Sequence, residues 1–313
     1  MEIKFTKMHG CGNDYIYMDG MQRPENPEKR AEMVRRLSDR HFGIGGDGVI
    51  WIHRVQEEKG TEPGQRADFE MEMYNADGSR AEMCGNGIRC VAKYVYDKGW
   101  TDRKQIRIVS CGKVKHLELS EESGKVVKVK VNMGEPVLKA ADVPVLSDSE
   151  EVIGEEIEAG GKKYKITCVS MGNPHAVIFT EENDILTGLG NGNGDGSEDS
   201  RDAFGKDIVE GIGSLIEKHP RFPKKTNTEF VKVLDRKTIQ MRVWERGTGE
   251  TLACGTGACA AVVACILNDL TEEEVTVKLL GGELIILWDR KENLVYMSGP
   301  AETVFDGEAN YNE

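Results

Sequence analysis

Two segments of the chain, YNADGSRAEMCGNG (residues 74–87) and WERGTGETLACGTG (residues 244–257), align at a constant offset of 170 that carries Cys84 onto Cys254. Each follows an alternating run of strand character, ADFEMEMY in one case and KTIQMRVW in the other. A second pair, GNDYIYMD (12–19) and GNPHAVIF (172–179), aligns at an offset of 160, carries Asn13 onto Asn173 and keeps the same order in each half. Either match alone is weak, because Gly-Asn is a common turn signal. Two matches in the same order predict a duplicated unit. A chain of 313 residues is long enough for two cores of ordinary size, so the duplication predicts two similar lobes.

Around these blocks the alternation predicts short strands at Ile3–Lys7, Tyr15–Asp19, Val126–Val131, Lys163–Ser170, Phe230–Leu234, Val275–Leu280 and Glu283–Trp288. A helix is predicted from Pro27 to about Asp39, with Asn26 as its cap and Pro27 at its first position. Ile88, Val91, Ala92, Val95 and Tyr96 recur at helical spacing, with Gly99 as the terminator. Residues 258–267 are apolar on every side. A helix of that kind must be buried, which predicts strands wrapped around it. Each repeat therefore reads as a sheet enclosing a helix that is preceded by a cysteine. The segment TGLGNGNGDGSEDSRD (187–202) has one large apolar residue and reads as a solvated insertion; it lacks the ordered ligands of a calcium loop.

Lys and Arg number 41 against 54 Asp and Glu, and the net charge of −13 argues against nucleic acid as a partner. The longest apolar run, Ala258 to Leu267, is too short to cross a bilayer, which argues against a membrane span. The start, MEIKFTKMHG, lacks the apolar stretch of a signal peptide and points to the cytoplasm. There the eight cysteines are expected as reduced thiols. Their spacings lack the close Cys-x-x-Cys pairs of a zinc ribbon, so no metal site is predicted.

The first turn of a helix carries unpaired N–H groups and a partial positive charge, which makes a thiol placed there easier to ionise. Glycines next to it let a carboxylate approach the backbone N–H groups. A single cysteine of this kind can equally be a small buried apolar residue. Two copies related by duplication favour chemistry, because lobes facing each other about a pseudo-twofold axis would present the thiols to opposite faces of one cleft. Inverting a carbon centre needs one group to remove a proton from one face and another to deliver a proton to the other. With no cofactor to delocalise the carbanion, fixed N–H dipoles and exclusion of water must stabilise it.

The blocks KMHGCGNDYIYMD, RHFGIGGDGVI, YNADGSRAEMCGNGIRC, VNMGEP, VSMGNPHAVIF, RFPKKTNTEFV, ERGTGETLACGTGACAA and YMSGPA, in this order, resemble the diaminopimelate epimerase family. The resemblance implies an α/β (α+β) fold of two pseudo-symmetric lobes, each a mixed, barrel-like β-sheet around a central helix. The expected division is 1–128 with about 294–313, and 129–293. It implies cofactor-independent interconversion of LL- and meso-diaminopimelate, which supplies lysine and peptidoglycan synthesis. By resemblance, Cys84 and Cys254 are the catalytic base and acid, supported by His175 and Glu245. Gly85, Asn86, Gly255 and Thr256 hold the reacting carboxylate. Asn13, Asn75, Asn173 and Asn227 are polar clamps, and Glu245 with Arg246 reads ammonium and carboxylate groups, a task suited to the forked guanidinium. The only ligand implied is the small-molecule substrate, and the family suggests a homodimer, through the region of Tyr296.

Two positions depart from the family's pattern. Gly48 stands where some members carry a glutamine that contacts substrate, and Cys11 stands where an aliphatic residue is more usual. Three rival readings follow from the residues. GIGGDG (43–48) and GTGACA (255–260) fit the dinucleotide-loop pattern, although a helix precedes the first. Paired thiols could instead cycle through a disulfide. A related racemase acting on a cyclic amino acid is the third, and the Glu245–Arg246 pair argues against it by implying a second charged end on the substrate.

Overall fold

The computed structural model describes residues 2–55, 66–81, 85–181 and 207–311. Cys84 and all of the 187–202 segment, together with the rest of residues 182–206, lie outside them. The chain divides into two compact units, Met1–Asn132 with Ser298–Glu313, and Met133–Met297.

The first unit contains strands β1 (Glu2–Gly10), β2 (Asn13–Asp19), β3 (Gly48–Arg54), β4 (Phe69–Asn75), β5 (Gln105–Ser110), β6 (Lys113–Glu122) and all but the last two residues of β7 (Lys125–Gly134). Neighbours pair antiparallel except β2 with β3 and β4 with β5, which are parallel. A parallel pair needs a crossover, usually a helix. Here α1 (Pro27–Ser38) lies between β2 and β3 in the chain, and α2 (Gly85–Asp97) between β4 and β5. Helix α1 begins where the sequence predicts: Asn26 Oδ1 accepts from the N–H groups of Glu28 and Lys29 at 2.8 and 3.1 Å. Gly99, at φ +71°, follows α2 and lets the Trp100 N–H turn back to the carbonyl of Val95.

The second unit repeats the plan. Strands β8 (Glu155–Ala159), β9 (Lys162–Ser170), β10 (Pro174–Phe179), β11 (Asn227–Asp235), β12 (Thr238–Glu245), the short β13 (Gly249–Thr251), β14 (Glu274–Leu279) and β15 (Gly282–Asp289) are joined by α3 (Ile208–Glu217), between β10 and β11, and α4 (Gly255–Leu267), between β13 and β14. The parallel pairs are again the bridged ones, β10 with β11 and β12 with β14. Helices α2 and α4 both have 13 residues and start 170 residues apart. The chain then passes through β16 (Leu294–Gly299) into β17 (Glu302–Asn310), which pairs antiparallel with β1. The corresponding outer strand of the second unit, β8, precedes β9 instead.

Helix α4 packs against β9, β10, β11, β12, β14 and β15, and all its residues from Gly257 to Ile266 are buried. An all-apolar sequence is thus matched by sheet on every side of it, and each fully buried valine contributes about 1.5–3 kcal/mol. Outside each sheet a second core lies beneath the other helix: Met33, Val34 and Leu37 of α1 against Ile16, Val49 and Trp51, and Val209, Ile212 and Ile216 of α3 against Ile178 and Phe230.

Gly48 opens β3 opposite Asn75, and a Cβ there would lie 1.9 Å from the carbonyl oxygen of Tyr74. The backbone of β4 has taken the room that a side chain would need, so this chain has no space for a glutamine at that position. Gly48→Ala is expected to lower stability by about 2 kcal/mol or more, read as a shift of the urea midpoint.

Candidate active site

Parallel pairing sets the starts of β10 and β11 side by side, with His175 opposite Asn227, and the antiparallel partner β12 brings its end to the same place, with Thr228 opposite Trp244. One end of the second unit's sheet therefore gathers Asn173, His175, Asn227, Glu245 and Arg246. Cys254 joins them as the residue that caps α4.

Cys254 is buried, and its Sγ accepts the N–H of Gly257 at 3.3 Å with the Thr256 hydroxyl 3.5 Å away. The sulfur thus takes the place that a serine or aspartate oxygen usually fills at a helix start. Position in the first turn does not make this thiol easy to ionise. Burial raises its pKa well above the ordinary thiol value, and the Glu245 and Glu229 carboxylates add to the rise. The Thr256 hydroxyl and Gly257 N–H oppose this and are outweighed. Cys254 therefore rests as the thiol. Glu245 is held above the usual carboxylate range, first by burial and further by Glu229, against the opposing pull of Thr251, His175 and Cys254. A carboxyl that keeps its proton more readily beside a neutral thiol is consistent with acid chemistry at this end of the sheet.

His175 is fully buried, with Nδ1 at 2.7 Å from Glu229 Oε1 and Nε2 at 3.0 Å from Asn173 Oδ1. Asn227 Nδ2 lies 3.5 Å from the same Nδ1, and Asn227 Oδ1 accepts the backbone N–H of Arg246 at 2.9 Å. Arg246 also donates from Nη1 to the Lys224 carbonyl at 3.0 Å. The turn that carries Arg246 is held from behind by buried Glu217, which accepts from Trp244 Nε1, Lys225 Nζ and the Gly247 N–H.

In the first unit, Asn13 and Asn75 stand at the corresponding sheet end, as the first residue of β2 and the last of β4. Their side chains have local partners: Asn13 Nδ2 donates to Asp47 Oδ2 at 2.8 Å, and Asn75 Nδ2 to the Ser79 hydroxyl at 3.1 Å. Gly85 and Asn86 open α2 and are buried, with the Gly85 carbonyl and Asn86 Oδ1 accepting from Arg89 at 3.2 and 2.9 Å. Cys84, immediately before them in the chain, is among the residues not described. The second-unit candidates thus form one connected group, and in the first unit Asn13 and Asn75 share a sheet end while Gly85 and Asn86 open α2. Among the described residues, no group of three or more His, Cys, Asp or Glu could hold a metal ion.

Glu229 is the residue that sequence reasoning passed over. The signal was present in NTEFV: Asn227 and Glu229 fall on one strand face, and an acid within a strand that is otherwise buried requires a partner.

Among solved structures, the fold is similar to that of a hydroxyproline epimerase from Agrobacterium vitis, at TM-score 0.67 and 12% identity over 98% of this chain and 91% of that one. It is also similar to a probable proline racemase from Agrobacterium radiobacter, at TM-score 0.66 and 12% identity over 99% and 93%. In sequence the chain is 51% identical over 311 residues to a diaminopimelate epimerase of Acetivibrio thermocellus, covering 99% of this chain and 100% of the relative. It is 52% identical over 307 residues to a diaminopimelate epimerase of Methanococcus maripaludis, covering 98% and 99%. The family model described as diaminopimelate epimerase matches residues 5–139 and 167–304. With that model spanning most of the chain and relatives this close along nearly its full length, the chain belongs to the diaminopimelate epimerase family.

Proposed function

We infer that the protein is an isomerase that interconverts LL- and meso-diaminopimelate with two cysteines as the acid–base pair. The observation that carries the reading for this chain is Cys254, a thiol capping α4 beside Glu245, at the sheet end that also holds His175, Asn173 and Asn227. Cys84 occupies the same place in the first repeat of the sequence. One cysteine, as thiolate, takes the α-proton: the C–H bond breaks, an S–H bond forms and the electron pair remains on the carbon and its carboxylate. The other gives its S–H proton to the opposite face of that carbon and is left as thiolate. Reversal exchanges the two roles, so the ionisation belongs to the pair. The thiol form of Cys254 assigns it the donating role in the first turnover.

The residues that bind follow from their chemistry. Backbone N–H groups at Gly85, Asn86, Gly255 and Thr256 receive the carboxylate of the reacting centre. Asn13, Asn75, Asn173 and Asn227 clamp polar groups, and Arg246 with Glu245 reads the charged groups of the amino-acid substrate. Arg246→Met is expected to raise KM for diaminopimelate by about tenfold or more with a smaller change in kcat. An unchanged KM would remove Arg246 from the binding set. A cytoplasmic homodimer completes the proposal, in keeping with the reduced thiols the chemistry requires. Sedimentation of the reduced protein tests the dimer.

A further inference from the structure

Glu229 is fully buried on β11, and nothing in the chemistry above uses it. One carboxylate oxygen, Oε1, lies 2.7 Å from His175 Nδ1. The other, Oε2, is buried and has no hydrogen-bond partner among the described residues. A Cβ built on Gly257 would lie 2.7 Å from Glu229 Oε1 and 3.2 Å from Cys254 Sγ, so carboxylate and sulfur face the same point in the first turn of α4. An apolar residue would fill this space without leaving a buried oxygen unsatisfied, which is a cost to folding. The arrangement has the form of an acid–base group whose imidazole is set by a buried carboxylate.

We propose that Glu229 is a positioning residue of the epimerase site: by accepting from His175 Nδ1 it fixes the imidazole between Asn173 and Asn227, and its negative charge beside the first turn of α4 keeps Cys254 a proton donor. The proposal rests on the epimerase reading. It follows from the geometry in two steps. With Nδ1 committed to Glu229, His175 presents Nε2 to Asn173, and the ring cannot turn without leaving a buried carboxylate unpaired. A like charge near a thiol favours its protonated form. The titratable groups facing this centre are His175 on β10, Glu229 on β11, Glu245 on β12 and Cys168 on β9, with Cys254 at the start of α4.

Glu229→Gln keeps the volume and a hydrogen-bonding oxygen and removes the charge, which separates charge from packing. The test is kcat and KM for LL-diaminopimelate from pH 6 to 9.5 in the parent protein and this variant, with thermal unfolding in parallel. The proposal expects kcat to fall roughly tenfold to a hundredfold, KM to stay within about twofold, and the alkaline limb of the kcat profile to move down by about one pH unit, since loss of a nearby negative charge eases loss of the Cys254 proton. An unchanged kcat profile in a folded variant would overturn it. If the variant does not fold, ¹⁵N-histidine spectra of the parent protein decide: His175 protonated at Nδ1 across pH 6–8 supports the proposal, and a His175 lacking that proton overturns it. An inactive parent protein would instead overturn the epimerase reading, which the spectra do not touch.

Discussion

Cys254→Ala is expected to lower turnover of LL-diaminopimelate by roughly a thousandfold, as loss of a general acid–base group generally does, and Cys84→Ala by a similar factor. The fold should survive. Alanine at position 254 removes the sulfur that accepts the Gly257 N–H, a cap whose loss costs about 1 kcal/mol, and the rest of α4 keeps its buried face. Cys254→Ser, which can still cap the helix, should unfold near the parent temperature and still lose most activity, because an alcohol holds its proton more tightly than a thiol. The double variant should be little worse than either single one, since the two thiols act as a unit. A Cys254→Ala protein that retains even a tenth of parental turnover would show that proton delivery comes from another group.

The largest expected effect on stability lies in the first unit's fold, at Glu72 on β4. This carboxylate is 4% exposed and accepts from Arg23 at 2.7 Å, Arg30 at 3.0 Å and the Tyr74 hydroxyl at 3.1 Å, with His53 Nε2 at 3.2 Å. Burial alone would raise its pKa. The His53 hydrogen bond, the charges of Arg23 and Arg30 and the Tyr74 hydroxyl outweigh burial and hold it at about 2. Glu72→Ala leaves the buried Arg30 guanidinium without this carboxylate and is expected to cost about 3–5 kcal/mol. The pH dependence follows from the same depression. The group's folded pKa lies below its ordinary 4.5, so its contribution of about 3 kcal/mol is present above pH 5 and is lost as the pH falls toward 2. Urea midpoints measured at pH 7 and pH 3 should differ less in Glu72→Gln than in the parent protein. Equal differences would show that Glu72 is not the acid-sensitive group.

Elements with a strong local pattern were legible in the sequence, and those made by tertiary contact were not. Pro27 and the Asn26 cap mark the start of α1, and residues 88–96 and 258–267 mark α2 and α4, because burial demands a periodic or continuous apolar run. Helix α3 went unread because IVEGIGSLIE carries two glycines, which disfavour a helix. The reason for one of them is in the structure: at Gly213 a Cβ would lie 2.5 Å from that of Trp244. Strand β17 was illegible for a different reason. Most of its side chains are exposed, and its place is set by pairing with β1, at the opposite end of the chain.

At the site, the duplication pointed to both cysteines, whereas Asn13, Asn75, Asn173 and Asn227 were named only through the family resemblance, since an asparagine at a turn is common for backbone reasons alone. What the sequence could not convey was charge balance. A cysteine before a helix reads as activated toward the thiolate, whereas burial together with Glu229 and Glu245 reverses that at Cys254. Those two carboxylates arrive from β11 and β12, and only strand register places them beside α4.

The most direct test of two-cysteine epimerisation follows hydrogen at the α-carbon. Reduced protein is incubated with LL-diaminopimelate in deuterated water, and early samples are separated into LL and meso isomers for mass measurement. Delivery of a solvent-derived proton to the face opposite the one abstracted predicts one deuterium in each meso molecule and essentially none in the LL substrate that remains. Deuterium appearing in the remaining LL isomer as fast as in the product would mean that one group both removes and returns the proton, and would contradict the account.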